Sequence, residues 1–529
     1  MKKEQNKIEF ISASAGTGKT HTLMSDLFNV LSSNEVRPTG VMAVTFTEKA
    51  AAELGQRVRQ RLLEGGRADL AQMIETARIG TVHGVCARLL TEFAYEAGLS
   101  PSQRVLGEDE GPALFRQTLT ELLTPERLAI LGPLASRMSL DSNTIIALAS
   151  DMAKSARGND ITPEQVKAAA SDSRALITRV FPSKGSANLT QEMTIAIGAF
   201  FTLWPEPAQT TKKAIDAYNK LINFKNDLAN KADAWKDWIS MAKTDFGAKA
   251  NDSGTAIKEI AARVCAHPNL HSDLAMFIEQ VHELAALTMN KFAEKKRKLG
   301  LIDYQDMEQQ TLHLLDCPEV QESLRTQIDL LMVDEFQDTN PVQLAIFLKL
   351  SAFCPRTIFV GDLKQSIFRF RGADITLIQA ILNDVATKSS KILSDNYRSR
   401  PELVEFTSTI FEAAFLRDGI APETVRVQAK KNYQTKLPPL SVWWHPKKKD
   451  DSATAIAMEI RRLLDSKVKV TDRLTSELRE ILPCDIGILV RTNPNIALMS
   501  AALRKVGIET SDLGSTLCEF PETALLCAL

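Results

Sequence analysis

Residues 7–20 read KIEFISASAGTGKT, and this stretch decides the fold. Residues 7–12 alternate in polarity and are rich in β-branched and aromatic side chains, which predicts a short strand. The glycine-containing loop at 13–20 follows, and the next residues, HTLMSDLFNVL, predict a helix. Except that Ala13 replaces the first glycine, the loop matches the phosphate-binding pattern G-x-x-x-x-G-K-[ST].

The mechanics of such a loop follow from its residue types. Gly16 and Gly18 allow a tight turn in which successive N–H groups point at phosphate oxygens. The helix that begins near Lys19 adds the positive end of its dipole. Lys19 would reach the β- and γ-phosphates, and Thr20 would hold Mg²⁺. We therefore predict ATP and Mg²⁺ as ligands. A chance glycine-rich loop is disfavoured by the strand-loop-helix context, but the loop alone does not separate a kinase, a GTPase or a motor.

The remaining elements predict an α/β protein. A nearly continuous apolar strand at 40–46 precedes a polar helix at 48–63, and short apolar runs return at 329–333 and 357–360. Alternating strands and helices predict a parallel sheet covered on both faces. From 108 to 300 the sequence is almost all helix-forming, which predicts a helical insertion.

A further α/β unit is expected beyond a polar hinge at 384–391. Its strands are predicted near 391–394, 440–444 and 485–490, with a helix at about 453–464. The basic runs KKRK at 295–298 and KKK at 447–449 are interpreted as solvated surface.

Composition places the chain among ordinary globular proteins. Its 529 residues are 44% apolar and 24% charged, enough for about three or four domains. No apolar run reaches the roughly 18 residues of a membrane span. The seven cysteines lie far apart, which favours a reducing, cytoplasmic location over a disulfide framework or a zinc cluster. The net charge of -1 argues against nucleic acid at first sight, but it is a sum over domains.

The run LLMVDEFQD at 330–338 is an apolar strand that ends in adjacent carboxylates. Asp334 at the strand tip is expected to coordinate Mg²⁺, and Glu335 to orient and deprotonate the attacking water. Two neighbouring acids repel each other, so a cation between them is the simplest reason for their presence. The pair favours hydrolysis over phosphoryl transfer to a small acceptor; a polar exit from a strand is the alternative.

Six blocks in this order resemble the UvrD/RecB-like branch of superfamily 1 DNA helicases. They are ASAGTGKT at 13–20, VTFTEKAAAELGQR at 44–57, GTVHGVCARLL at 80–90, VDEFQDTNPVQ at 333–343, GDLKQSIFRFRGAD at 361–374 and LSDNYRSRPEL at 393–403. The last three are close to diagnostic. The first block, LIDYQD at 301–306 and DIGILVRT at 485–492 make the chain most similar to the RecB and AddA helicase-nucleases.

The resemblance implies two RecA-like motor domains, each with a helical insertion. On this chain it places the first motor domain at 1–107 and 301–388, its insertion at 108–300, and part of a second motor domain at 389–529.

The resemblance also implies roles in nucleotide binding. Gln365 would contact the γ-phosphate and the attacking water, Tyr397 would stack on the adenine, and Arg398 would act as an arginine finger. The expected nucleotide-binding residues are Ala15, Gly16, Thr17, Gly18, Lys19, Thr20, His21, Tyr397 and Arg398.

Single-stranded DNA would be held by aromatic faces and polar groups. The expected contact residues are Thr45, Phe46, Thr81, His83, Phe368, Phe370 and Arg371. Phe368 and Phe370 stand where the family often has Tyr and Trp, so they retain a π-face. Two alternatives stay open: Phe46 could be a core residue, and His83 could cap a helix.

Two family blocks, one of TVHxxKGLE type and one of YVALTRA type with a second arginine finger, do not occur in this sequence. The chain is therefore expected to be the N-terminal portion of a longer helicase, or else a short protein that binds ATP and DNA but turns over poorly. The resemblance implies 3′ to 5′ movement, contact with single strands and duplex junctions, and helicase-nuclease partner subunits or a missing C-terminal region. The rival hypotheses are an RNA helicase and a non-catalytic, ATP-gated DNA-binding subunit.

Overall fold

The computed structural model describes residues 7–100, 102–107, 109–185, 188–208, 211–367, 374–385, 390–418, 420, 422–431, 433, 437–444, 449–472, 475 and 477–511. The strands are β1 Lys7–Ala13, β2 Val41–Thr45, β3 Arg78–Thr81, β4 Arg104–Val105, β5 Leu301–Ile302, β6 Leu330–Val333, β7 Arg356–Gly361, β8 Ser390–Leu393, β9 Asp395–Asn396, β10 Gln428–Ala429, β11 Lys469–Thr471 and β12 Leu478–Glu480.

The α-helices are α1 Lys19–Ser32, α2 Glu48–Glu64, α3 Ala68–Met73, α4 Val82–Glu92, α5 Glu110–Leu122, α6 Pro125–Met138, α7 Ser142–Gly158, α8 Pro163–Ala168, α9 Ala170–Val180, α10 Leu189–Leu203, α11 Lys212–Ala229, α12 Trp235–Ala242, α13 Thr255–Ala262, α14 Pro268–Leu299, α15 Tyr304–Leu314, α16 Pro318–Gln327, α17 Pro341–Phe353, α18 Ile375–Val385, α19 Pro401–Phe415, α20 Pro422–Val425, α21 Lys449–Asp465 and α22 Asn493–Lys505.

Six strands of the described residues form one sheet in the order β3-β2-β6-β7-β1-β8. Strand β2 pairs in parallel with β3 and β6, and β6 pairs in parallel with β7. Strands β2 and β6 are buried along their whole length, as expected for strands covered on both faces. The predicted α/β class is confirmed. The strands predicted at 40–46, 329–333 and 357–360 agree with the structure to within one residue at each end.

The chain divides into two compact units, which are described separately. The first unit comprises residues 1–10 and 24–390, and the second comprises residues 11–23 and 391–529. The boundaries predicted at 107, 300 and 388 remain predictions.

In the first unit the chain runs through helices α5 to α14 between two short strands that pair with each other. Strand β4 lies parallel to β5, with Arg104 opposite Leu301 and Val105 opposite Ile302. The Arg104 N–H donates to the Gly300 carbonyl at 2.9 Å, and the Leu106 N–H donates to the Ile302 carbonyl at 2.8 Å. The entry to the helical stretch and its exit are thus held side by side, and we call this pair of strands the clasp.

A group of four largely buried charges joins the end of α14 to the start of α15. Lys296 is bonded to Asp303 at 2.8 Å and also to Asp306, and Arg157 donates to Asp303 at 2.6 Å. Burial alone would raise the pKa of Asp303, but Arg157 and Lys296 hold it below its ordinary value. A carboxyl with a lowered pKa stabilises the fold above its unfolded-state pKa and loses that effect as the pH falls. Lys296 is 3% exposed, so the interpretation of 295–298 as solvated surface is wrong at this residue.

The second unit has a small core between α21 and α22, formed among others by Ala457, Ile460 and Leu503. Strand β9 pairs in parallel with β10, and β11 pairs antiparallel with β12. Residues 440–444 and 485–490, both predicted as strands, belong to no strand in the described structure. A strand is defined by ladder hydrogen bonds, and no strand of the described residues pairs with either segment. None of the described helices is both long and apolar enough to cross a bilayer.

The charge group makes a test of stability possible. Replacing Lys296 by Met leaves two largely buried carboxylates with one cation, so we expect a loss of about 3 kcal/mol in the free energy of unfolding. Lys298→Met is the matched control, because Lys298 is 68% exposed and pairs with Glu294 on the surface; it should cost less than about 0.5 kcal/mol. Urea denaturation followed by circular dichroism measures both. Equal losses for the two variants would contradict the assignment.

Candidate functional site

The carboxyl ends of three strands in the first unit lie level at one edge of the sheet. Thr45 at the end of β2 is in register with Thr81 of β3, and Val44 is in register with Val333 of β6. Polar residues that follow parallel strands therefore gather at this edge, where open α/β sheets bind ligands. Thr45 is buried and its hydroxyl donates to the Thr47 carbonyl at 3.1 Å. Phe46 is half-buried and packs against the sheet core, so it is in part the core residue of the alternative interpretation.

Thr81, and not His83, caps the helix at this edge. The Thr81 side chain accepts a hydrogen bond from the Gly84 N–H at 3.1 Å, which satisfies one of the free donors in the first turn of α4. His83 lies in that first turn, with its Nε2 atom 2.9 Å from Glu308 Oε1 and its ring stacked on Tyr304. The alternative in which His83 caps a helix is therefore wrong.

The acidic pair follows β6 directly. The Asp334 N–H donates to the Val44 carbonyl at 2.9 Å, and the Glu335 N–H donates to Asp334 Oδ1 at 2.9 Å. Glu335 has φ +49°, a left-handed conformation that non-glycine residues rarely adopt. Such a conformation costs on the order of 1 kcal/mol of free energy, and residues with strained backbones are often found at functional sites. The backbone thus turns sharply at Glu335.

Gln337 connects this turn to the next strand end, and sequence reasoning assigned it no role. Its Nε2 atom donates to Glu335 Oε2 at 2.7 Å, and its Oε1 atom accepts from the Asp362 N–H at 2.8 Å. A Cβ at position 361 would lie 2.5 Å from Gln337 Oε1, which explains why that position is Gly361. Gln337 is 2% exposed. The only sequence signal was its place in the block VDEFQDTNPVQ.

Gln365 belongs to the same hydrogen-bonded group. Its Nε2 atom donates to Asp362 Oδ2 at 2.6 Å, and Lys364 forms an ion pair with Asp362 at 2.7 Å. Asp362 is buried, so its carboxylate holds both side chains at the end of β7. Glu335 and Gln365 are therefore linked by three hydrogen bonds, through Gln337 and Asp362.

The glycine-rich loop, in the second unit, has the conformation that a phosphate loop requires. Gly16 and Gly18 have φ angles of +78° and +84°, which residues with a Cβ atom rarely adopt. Thr17 is buried and its hydroxyl donates to the Ser14 carbonyl at 2.7 Å, which closes the turn. Helix α1 begins at Lys19, so its first N–H groups have no acceptor within the helix. The loop fits a phosphate group on these observations.

The other predicted loop residues lie around this turn. Ala15 is exposed at its tip, Thr20 is half-buried in the first turn of α1, and His21 is exposed beside it.

The segment 396–398 packs directly on this loop within the second unit. The Tyr397 N–H donates to the Gly16 carbonyl at 2.8 Å, and Asn396 Nδ2 donates to the Ala15 carbonyl at 2.8 Å. Asn396 Oδ1 accepts from the N–H groups of Arg398 and Ser399, both at 2.9 Å. A Cβ at Gly16 would lie 2.6 Å from the Cβ of Arg398. Tyr397 and Arg398 are thus held next to the phosphate loop, with exposed side chains.

Asn396 is a second residue that sequence reasoning missed. It is buried, and its amide makes both the contact to the loop and the turn that carries Tyr397 and Arg398. An Asn that precedes a Tyr-Arg pair is a possible signal, because Asn side chains bond to backbone two residues on. Of the residues predicted to contact DNA, Phe368, Phe370 and Arg371 lie outside the described residues.

Comparison with known proteins agrees with these features. Residues 2–386 match the family model of the UvrD/REP helicase N-terminal domain. The chain is 24% identical to an ATP-dependent helicase/nuclease subunit of Ligilactobacillus salivarius, over 94% of the chain and 47% of that protein. It is 25% identical to the protein of the same name from Listeria welshimeri, over 93% of the chain and 47% of that protein. It is 26% identical to the one from Staphylococcus aureus, over 76% of the chain and 38% of that protein.

The chain thus spans about half the length, or less, of these curated relatives. The family match itself covers well over half of the chain and includes the phosphate loop, the acidic strand end and Gln365. Together with the parallel sheet and these strand-end residues, it shows that the chain belongs to the UvrD/REP family of helicases, in its UvrD/RecB-like branch.

Proposed function

We propose that this chain is an ATP-dependent DNA helicase or translocase, or the N-terminal motor portion of one. One observation carries the proposal: the Tyr397 N–H and the Asn396 amide are bonded to the phosphate loop itself. A tyrosine that stacks on adenine and an arginine that reaches the γ-phosphate are useful only beside such a loop. This arrangement supports a nucleotide site in which the Tyr-Arg pair senses the state of ATP.

In this proposal Lys19 binds the β- and γ-phosphates, and the hydroxyl of Thr20 and the carboxylate of Asp334 hold Mg²⁺. Hydroxyl and carboxylate oxygens are the ligands that Mg²⁺ prefers. When bound, Mg²⁺ would neutralise charge that develops on the phosphate oxygens. Ala15, Gly16, Thr17, Gly18 and His21 are proposed to complete the nucleotide contacts of this loop.

Glu335 is proposed as the base that orients and deprotonates the attacking water. The Gln337 amide donates to Glu335 Oε2, which fixes the direction of the carboxylate. Gln365, tied to Asp362, is the proposed sensor of the γ-phosphate. Because Gln337 also binds the Asp362 N–H, a shift at Gln365 would reach Glu335 through three hydrogen bonds.

Single-stranded DNA is the proposed track. Thr45, Phe46, Thr81 and His83 lie at or next to the carboxyl ends of β2 and β3, and they are proposed to contact the strand, with movement 3′ to 5′. The curated relatives bear the name of a helicase/nuclease subunit. We therefore propose a role in recombinational repair or phage defence, together with partner subunits or a C-terminal region that carries the remaining blocks.

Two substitutions separate nucleotide binding from hydrolysis. Lys19→Ala should abolish binding of a fluorescent ATP analogue, because the loop loses its phosphate-binding cation. Glu335→Gln should retain binding but lower the ATPase rate by about 10²–10⁴-fold, the usual contribution of a general base. An unchanged ATPase rate in Glu335→Gln would show that another group is the base.

Asn396 offers a test of the turn that carries Tyr397 and Arg398. Asn396→Ala removes three hydrogen bonds, so we expect a loss of about 2 kcal/mol in stability and a weaker affinity for ATP. Asn396→Asp is the matched control, because its carboxylate still accepts from Arg398 and Ser399 while the donor to Ala15 is lost. Thermal unfolding with and without Mg-ATP measures both effects. An Ala variant with wild-type ATP affinity would contradict the role of the turn.

Stimulation by DNA distinguishes the motor from a non-catalytic, ATP-gated protein. We expect a single-stranded oligonucleotide to raise the ATPase rate of the wild-type chain, because the family couples hydrolysis to movement along a strand. Less than about two-fold stimulation, with DNA binding intact, would favour the non-catalytic protein. Competition between DNA and RNA oligonucleotides of the same sequence tests the choice of nucleic acid.

A further inference from the structure

Two aromatic rings from distant parts of the chain form a stacked pair in the first unit. The rings of His83 and Tyr304 have centroids 4.3 Å apart and an interplanar angle of 26°. Both remain open to solvent, with His83 34% exposed in its side chain and Tyr304 39% exposed. His83 lies two residues beyond the end of β3, at the same edge of the sheet as Phe46. Tyr304 is the first residue of α15.

Glu308 forms a hydrogen bond with the His83 ring of this pair. Its side chain is only 5% exposed, and its Oε1 atom lies 2.9 Å from His83 Nε2. Because a carboxylate only accepts, the His83 Nε2–H donates, which fixes the ring's tautomer and orientation. Tyr304 and Glu308 are four residues apart on α15, so they lie on the same face of that helix. One helix therefore supplies both the stacking partner of His83 and its hydrogen-bond acceptor.

Glu308 is also bonded to the start of α17. Gln343 Nε2 donates to Glu308 Oε1 at 2.6 Å, and Asn340 Nδ2 donates to Glu308 Oε2 at 3.0 Å. Asn340 and Gln343 form the capping box of α17, which follows the turn with Asp334 and Glu335. Two of the six sequence blocks, at 80–90 and 333–343, thus meet at one carboxylate.

A buried carboxylate costs free energy unless donors compensate it. An apolar residue would fill the same space without that cost, so the carboxylate is expected to serve another purpose than packing. Its described donors are one ring that faces solvent and two amides anchored beside the acidic strand end. The arrangement fixes the exposed ring pair relative to the turn that carries Asp334 and Glu335.

We propose that Tyr304 and His83 together form a stacking surface for one nucleobase of the single strand, and that Glu308 is the positioning residue that orients this surface. The inference rests on the proposed function and adds Tyr304 and Glu308 to it. A nucleobase is the fitting ligand because a third flat ring can extend a partly exposed stack of two rings on its outer face, and every base has a π-face.

The first test measures the affinity of the full chain for a fluorescein-labelled oligothymidylate by anisotropy. Tyr304→Ala should weaken binding about ten-fold, since loss of one stacking ring has an effect of this order. Tyr304→Phe keeps the ring and should stay within about two-fold of wild type. The matched control is Tyr95→Ala, because Tyr95 is 91% exposed and lies elsewhere on the surface; it should bind like wild type.

The outcomes separate this inference from the proposed function. If the wild-type chain does not bind the oligonucleotide, both are overturned. If the wild-type chain binds and Tyr304→Ala binds equally well, only the stacking surface is overturned. Weak binding by Tyr304→Phe as well would assign the effect to the hydroxyl and would also overturn stacking.

The second test concerns Glu308. Glu308→Gln places an amide N–H₂ against donors, so we expect the DNA concentration that half-saturates the ATPase to rise more than the maximal rate falls. Glu322→Gln, the same change at an exposed site on α16, is the control. In the variant with both Tyr304→Ala and Glu308→Gln, the loss of DNA affinity should be smaller than the product of the two single losses, because both changes act on one surface.

Glu308 would be a purely structural residue if Glu308→Gln lowered the melting temperature and left the half-saturating DNA concentration unchanged. Independent, multiplicative losses in the double variant would likewise overturn the positioning role. Glu308→Ala provides a second variant with the same two readouts, in case the Gln side chain finds new partners.

Discussion

The shared register of four parallel strands is the constraint on which the first unit depends. Strands β3, β2, β6 and β7 are parallel neighbours, and the ends of β3, β2 and β6 lie level. Parallel strands require long connections, so residues far apart in sequence emerge at the same edge. His83, Glu335 and Gln365 come from three separate blocks, yet each follows a strand of this sheet. A slip by one residue in any pair would turn the side chains of that strand to the opposite face.

The parts of the fold that the sequence predicted well are those set by local pattern. Apolar runs followed by Asp or Gly identified β2, β6 and β7, and the glycines of the phosphate loop have the positive φ values that their residue type suggested. The residues that were missed act through partners far along the chain. Glu308 lies 225 residues from His83, and Asn396 lies 381 residues from Ala15. In the sequence, Glu308 is a single Glu on a helix, which is typical of a solvent-exposed side chain. Only the structure shows that its side chain is buried.

In the second unit the sequence predicted structure that is not found: two segments with a strand-like sequence are not strands. In 486–490 the side chains do alternate: Ile486 and Ile488 pack against the core of α21 and α22, while Leu489 is fully exposed. Trp444, in the other segment, is 92% exposed. The period-2 pattern describes which face is buried, but it contains no information about the neighbour that must supply ladder hydrogen bonds. For such segments the sequence predicts a conformation and leaves the pairing undetermined.

The clasp formed by β4 and β5 has a consequence for how this family could diversify. Because Arg104 and Leu301 are paired, the chain leaves the sheet-bearing part and returns to it at almost the same point. The entropy of closing a longer loop grows only slowly with its length, so helices could be added or exchanged between these two strands at little cost. The strands that carry the acidic turn would keep their register throughout. The helical stretch can thus change in length without displacing the strands of the sheet.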